Sequence, residues 1–110
     1  MKDYVLIQTN NECQEDKLLK QGIYKKHKYF IKQTVLGDKQ WFCGYISVKP
    51  KTAKQTYPYM SATYKGKIQI DDTVLDEFYI GFDTLEPFEA DISLDDFEKE
   101  IIDYIDEIEK

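Results

Sequence analysis

The sequence predicts an α+β fold: a mostly antiparallel sheet of four to five strands with a C-terminal amphipathic helix packed on one face. Three observations carry that expectation. The chain has 110 residues, 42% of them hydrophobic and 15% aromatic, with five glycines and three prolines, which suits one domain with a modest core and excludes a disordered chain. Short stretches rich in Tyr, Val, Ile and Phe, punctuated by turn residues, read as strands. Leu94, Phe97, Ile101, Ile105 and Ile108 recur at helical spacing near the end. A single domain, 1–110, is the simplest arrangement.

The elements follow in order. Residues 3–9 read as a short strand. Asn10 and Asn11 offer an N-cap, Glu12, Glu15 and Asp16 suit a first turn, and Gly22 suits a C-terminal stop, so a short helix through Leu18 and Leu19 is expected. Lys28 to Val35 is strand-like, Leu36-Gly37-Asp38-Lys39 reads as a hairpin turn, and Gln40 to Lys49 alternates imperfectly as a second strand that Pro50 ends. The polar stretch from Lys51 to Pro58 reads as a loop. Ser61 to Ile70 reads as a third strand with a possible bulge at Gly66, and Asp71-Asp72 turns it. Glu77 to Asp83 is very apolar and reads as a central strand, and Thr84 to Asp91 as an acidic loop. Ser93 is an N-cap candidate for the final helix, with Asp96 three residues on. Opposite its apolar stripe stand Asp95, Asp96, Glu98, Glu100, Asp103, Asp106, Glu107 and Glu109. Covering one sheet face with this helix would bury both apolar surfaces.

Charge narrows function more than motifs do. All 15 cations of the Lys/Arg class are Lys, which argues against a sequence-specific nucleic-acid reader, because Arg is the usual reader of guanine edges and phosphate. The net charge of −6 is unevenly spread. Met1 to Lys67 holds 13 lysines against five acids, and Ile68 to Lys110 holds two lysines against 16 acids. Such asymmetry points to a charged partner or to self-neutralisation across the fold. Lysines around Tyr24, Tyr29 and Phe30 have the composition of a single-strand binder, but the net negative charge repels phosphate, so direct nucleic-acid binding is not expected. Sixteen carboxylates in the acidic half, eight on one helical face, resemble the charge row of a duplex and suit a basic cleft. A solubilising face paired with the protein's own lysines is the competing reading.

Catalytic chemistry finds little support. His27 is the single histidine and lies in a Lys-rich segment, so an exposed His beside a core Cys43 is preferred to a Cys–His pair. One His and two Cys are too few for a closed zinc site. No phosphate-binding glycine loop is present. Asp71 to Glu77 lacks the glycine and bidentate Glu of a calcium loop. Asp83, Glu86 and Glu89 are better read as a solvated acidic loop than as a divalent site. No enzyme, metal or cofactor is therefore expected. Cys13 and Cys43 form no CxxC pair and read as two free thiols. The first residues lack the apolar stretch of a signal peptide and no run suits a membrane span, so a cytoplasmic location is expected.

Two motifs add a resemblance. Trp41-Phe42-Cys43-Gly44-Tyr45-Ile46-Ser47-Val48 followed by Pro50, and later Tyr79-Ile80-Gly81-Phe82-Asp83, resemble a family of small uncharacterised bacteriophage proteins with a CGYV-type strand and an aromatic-x-GFD strand. The likeness covers roughly Tyr24 to Asp83. Where that family has His-Gly-Gly this chain has Tyr64-Lys65-Gly66, and where it has a His after GFD this chain has Leu85 and Glu86, so any role of those histidines is in doubt here. The resemblance implies a phage or prophage origin, and small acidic phage proteins of this kind resemble accessory inhibitors of host defence enzymes. The leading expectation is thus a phage-type accessory protein that binds and inhibits a host nucleic-acid-handling defence protein, of anti-CRISPR or anti-restriction type, through a DNA-mimicking surface. That surface would comprise Asp83, Glu86, Glu89, Asp95, Glu98, Asp103 and Asp106. The alternatives are a protein that sequesters a nucleotide-type signal in a pocket lined by Trp41, Tyr45, Tyr79 and Asp83, and a structural or oligomerising phage component.

Overall fold

The computed structural model describes residues 4–10, 12, 15–49, 64–83 and 92–109. Eight strands precede one helix: β1 (Val5–Ile7), β2 (Lys17–Tyr24), β3 (His27–Leu36), β4 (Lys39–Val48), β5 (Tyr64–Gly66), β6 (Ile68–Ile70), β7 (Thr73–Val74), β8 (Phe78–Asp83) and α1 (Leu94–Ile108). A five-stranded antiparallel sheet runs β2-β3-β4-β8-β5, and a second sheet runs β1-β6-β7. The architecture is α+β, as the sequence predicts.

The central meander forms by local rules. Tyr24 pairs with His27 across a two-residue turn in which Lys25 and Lys26 both take positive φ, 49° and 70°. Two positive-φ residues give the turn a twist that matches paired strands, although Asn-Gly adopts it more readily than Lys-Lys. Gly37, at φ 64°, supplies the same need between β3 and β4 without strain. Successive β4 side chains then leave on opposite faces. Ile46 and Val48 join one buried cluster with Tyr29, Ile31, Ile80 and Phe82, and α1 closes it with Phe97, Ile101 and Ile105. Cys43 and Tyr45 join another with Phe30 and Tyr79, and the small sheet closes that one with Ile7 and Ile68.

The sheet is therefore covered on both faces, not on one. This explains the imperfect alternation of Trp41 to Val48, since a strand buried on both sides is apolar at nearly every position. Gly44 lets the helix approach: a Cβ there would stand 2.7 Å from Ile101 Cδ1 and 3.2 Å from Phe97 Cζ.

Two expectations are corrected. The helix through Leu18 and Leu19 is the edge strand β2. The Asn10 signal exists, its side chain accepting from the Glu12 N–H at 2.9 Å, but it caps a turn only. Pairing with β3 then overrides local preference. Lys20, Gly22 and Tyr24 share the face toward α1, and a Cβ at residue 22 would stand 2.6 Å from the Tyr29 hydroxyl and 2.7 Å from its Cζ. The single strand over 61–70 is also divided. β5 pairs with β8 in the large sheet while β6 pairs with β1 in the small one, the switch falling where Gly66 takes φ 154° and Tyr64 Oη donates to the Lys67 carbonyl. Residues 61–63 and the expected loops over 51–58 and 84–91 lie outside the described residues.

The expected turn at Asp71-Asp72 joins β6 to β7, and Asp71 does more than turn. Its carboxylate accepts from the Thr9 N–H at 3.0 Å and the Thr9 hydroxyl at 2.5 Å, fastening the chain after β1 to the turn after β6. The strand over Glu77–Asp83 is β8, which lies inside the sheet between β4 and β5. Ser93 caps α1, its Oγ accepting from the Asp96 N–H at 3.1 Å.

Candidate functional site: the acidic helix and the basic sheet edge

α1 lays its apolar stripe on the sheet, and this fixes where its acids point. One flank, carrying Asp95, Glu98, Asp106 and Glu109, runs along β2 and the Lys25-Lys26 turn. Lys20 Nζ lies 2.8 Å from Asp95 and 3.1 Å from Glu98. Tyr29 Oη donates to Glu98 at 2.8 Å, and Tyr24 Oη to Asp106 at 2.9 Å. Lys25 Nζ reaches Asp106 at 2.6 Å, and His27 Nε2 reaches Glu109 at 2.8 Å. Cations and phenols from the basic half thus form a zipper along one flank of the helix. Self-neutralisation across the fold is real on this flank.

The electrostatics follow from these partners. Hydrogen bonding to Lys20 holds the Asp95 carboxyl below the usual range, and bonds from Tyr29 and Lys20 do the same for Glu98. The same bonds hold the Lys20 ammonium above its ordinary value. A carboxylate lowered in the folded state contributes stability that is present above its unfolded pKa and lost as pH falls through the folded one. Removing the cation in Lys20→Met should therefore destabilise the protein most at neutral pH. The gap in urea midpoint between variant and wild type should narrow as pH falls through the lowered pKa of these carboxylates and close once they are protonated in both proteins. A gap that stays constant with pH would show that Lys20 acts through packing alone.

The outer ridge of α1 differs. Asp96 and Asp103 are exposed, and no ion pair or side-chain hydrogen bond among the described residues engages either carboxylate. Lys99 is the one cation on that described helix, against eight acids over 95–109.

The residues expected to form a partner surface thus separate. Asp95, Glu98 and Asp106 lie in the zipper, and Asp103 stands on the outer ridge, its charge felt by Tyr24 but its carboxylate in no ion pair or side-chain hydrogen bond among the described residues. Asp83 pairs in register with Cys43, so it shares the Cys43 face of β8, away from α1, and does not extend the helix's acidic surface. Glu86 and Glu89 lie outside the described residues. Trp41, Tyr45, Tyr79 and Asp83 do share one sheet face, but the small sheet covers it. Tyr45 is 5% exposed and Tyr79 not at all, and burial drives both phenols far above their ordinary pKa. Tyr45 and Tyr79 belong to the buried cluster under the small sheet, with Trp41 packed against it and Asp83 half-exposed at the end of β8.

A cavity of about 590 Å³ lies elsewhere, where the Lys25-Lys26 turn and the end of β4 meet the end of α1, and its walls include His27, Lys49, Glu77 and Phe78. His27 is not the exposed residue expected: its side chain is 13% exposed, clasped between Ser47 and Glu109. Cys43 is a free thiol buried in the other cluster, where burial pushes its pKa up and Thr34 Oγ1 lies 3.3 Å away, so the two do not form a pair. Cys13 lies outside the described residues. Among the described residues, no three His, Cys, Asp or Glu side chains gather as a metal site. No described helix is long and apolar enough to cross a membrane.

No protein-family model, curated protein or solved structure matches the chain. The site therefore stands on its own geometry. Reasoning from sequence missed Lys20, Tyr24, Lys25 and Tyr29 as partners of the helix. The charge asymmetry between the halves was the available signal, and it becomes specific only once residues 17–24 are paired as a strand.

Proposed function

We propose that the protein is a non-enzymatic binding protein that engages a basic surface of another protein through the outer ridge of α1. The partner class is a nucleic-acid-handling protein whose cleft carries positive charge, encountered in a bacterial cytoplasm, with a phage-type inhibitor of host defence as the biological setting suggested by the motif resemblance. One observation carries the reading. After Lys20, Lys25 and His27 have engaged the inner flank, the outward ridge keeps exposed carboxylates at Asp96 and Asp103 on a rigid, capped helix. Fixed like charges in a row steer a complementary partner and make association fast and salt-sensitive.

The zipper dictates which variants test this. Reversing Asp95, Glu98 or Asp106 would repel the protein's own lysines, so loss of binding would not separate contact from folding. Asp103→Lys changes an exposed residue outside the zipper, and Lys99→Glu extends the negative ridge. With the full chain as bait in a bacterial lysate, a basic nucleic-acid-binding protein should be retained at low salt and released at high salt. Asp103→Lys should weaken retention and Lys99→Glu strengthen it, with far-UV circular dichroism unchanged in both. Retention that is indifferent to both substitutions and to salt would overturn the reading.

A further inference from the structure

Both ring nitrogens of His27 face acceptors. Nδ1 lies 2.6 Å from the Ser47 backbone oxygen, and Nε2 lies 2.8 Å from Glu109 Oε2. A carbonyl and an ionised carboxylate only accept, and a neutral imidazole carries a single N–H. Only the doubly protonated ring satisfies both. We propose that His27 is a proton-controlled latch, which as the imidazolium fastens the last turn of α1 to the end of the sheet and on losing a proton releases it. The neutral ring keeps its proton at Nδ1 for the shorter bond to Ser47, which turns an Nε2 lone pair toward the Glu109 carboxylate. A bond thereby becomes a repulsion, and histidine is the side chain whose charge ordinarily changes between about pH 5 and 8.

The surroundings define the window. From the preceding turn, Lys25 and Tyr24 are already bound to Asp106, and exposed Lys26 lines the same cavity as His27. Lys28 is engaged by Glu77 at 3.1 Å. Lys49 after β4 and Asp76 and Glu77 before β8 line the same cavity. Of these acids Glu109 is the one in contact with the ring, and the His27 bond holds its carboxyl below the ordinary range. The latch therefore stays shut well into the acid range and opens as pH rises and the ring loses its charge. The Asp106 bond holds the Lys25 ammonium above its ordinary value, so this pair keeps its cation through that range and release is confined to residues beyond Asp106. Ile108 and Glu109 also wall the cavity, so opening the latch widens it and bares Ile108.

The test uses the full chain and does not depend on the binding reading above. The single histidine gives one imidazole to follow by NMR. Protection of the Ile108 and Glu109 amides against hydrogen exchange, corrected for intrinsic rates, should fall about tenfold between about pH 5.5 and about pH 8.5, as expected for loss of a bond to a charged group. It should fall with the same midpoint as the ring titrates, while protection at Ile101 holds. His27→Gln and Glu109→Gln should both abolish the pH dependence. If His27→Gln fails to fold, Glu109→Gln, which alters an exposed side chain, decides alone. Protection that does not change with pH, a midpoint unlike that of the ring, or an unaltered pH response in Glu109→Gln would each overturn the latch.

Discussion

Phe97→Ala is expected to cost about 3–5 kcal/mol of folding stability, the usual range for emptying a buried aromatic site. Phe97 is fully buried where α1 meets the sheet. Its ring stacks on Phe42 at 5.9 Å and meets Phe82 edge-on at 5.7 Å, and it lies over Gly44, which offers no side chain to relax into the space. Domains of this size carry about 5–15 kcal/mol in total, so the variant should be close to unfolded at physiological temperature. Urea denaturation followed by tyrosine and tryptophan fluorescence measures the loss. Phe97→Leu should recover roughly half, because it refills most of the volume without the ring contacts. A cost under about 1 kcal/mol for the alanine variant would mean that the helix is not held by this cluster.

The second large effect is electrostatic and lies under the small sheet. Lys32 is a buried cation, its side chain 9% exposed, held 2.6 Å from Asp16, 3.1 Å from the Leu6 carbonyl and 5.9 Å above the Tyr45 ring. Removing one partner of such a pair strands the other charge, which costs about 3–5 kcal/mol when burial is complete. Asp16 retains 23% exposure, so Asp16→Asn should fall at the lower end, about 3 kcal/mol. Asn is chosen because Asp16 takes φ 59°, a conformation Asn tolerates, so the backbone is left undisturbed. Lys32→Met should cost far less, since it removes the charge that needs a partner and leaves Asp16 able to hydrate. The double variant should recover most of the stability lost in Asp16→Asn. Urea midpoints of the four proteins give the cycle, and simple additivity of the two single losses would refute the pairing.

The parts of the fold that were legible are those whose signals are local. Ser93 and the spacing of Leu94, Phe97, Ile101, Ile105 and Ile108 define α1 within its own sequence. The β3–β4 hairpin follows from two apolar runs around Gly37. β2 was misread because Asn10, the acids after it and Gly22 use the same punctuation as a helix, and because Leu18-Leu19 breaks the alternation that Lys20, Gly22 and Tyr24 resume. The Leu18–Lys20 register shift in the ladder with β3 accounts for that break. The small sheet was illegible for another reason. Strands of two or three residues carry no period, and β1 finds its partner 63 positions further along, at Val5 with Ile68. The site shared the fate of β2. The opposed charges of the two halves were visible from counts alone, but which lysine meets which acid depends on the strand that places Lys20 and Tyr24 beneath the helix.

The parallel pairing of β1 with β6 has a consequence for how the chain reaches its native state. β2, β3 and β4 can close by near-neighbour contacts as soon as they exist. β1, made before all of them, has no ladder to join until β6 has followed, and closing so long a span is entropically costly and slow. Ile7 therefore waits unburied while the meander assembles, and the face with Phe30, Cys43, Tyr45 and Tyr79 stays open beside it. The topology sets an order: the β2–β3–β4 meander closes first, and the small sheet waits for β6 and β7. An intermediate in which the meander has closed and β1 has not found β6 leaves that apolar face open, and such a face is where chains associate before folding is complete.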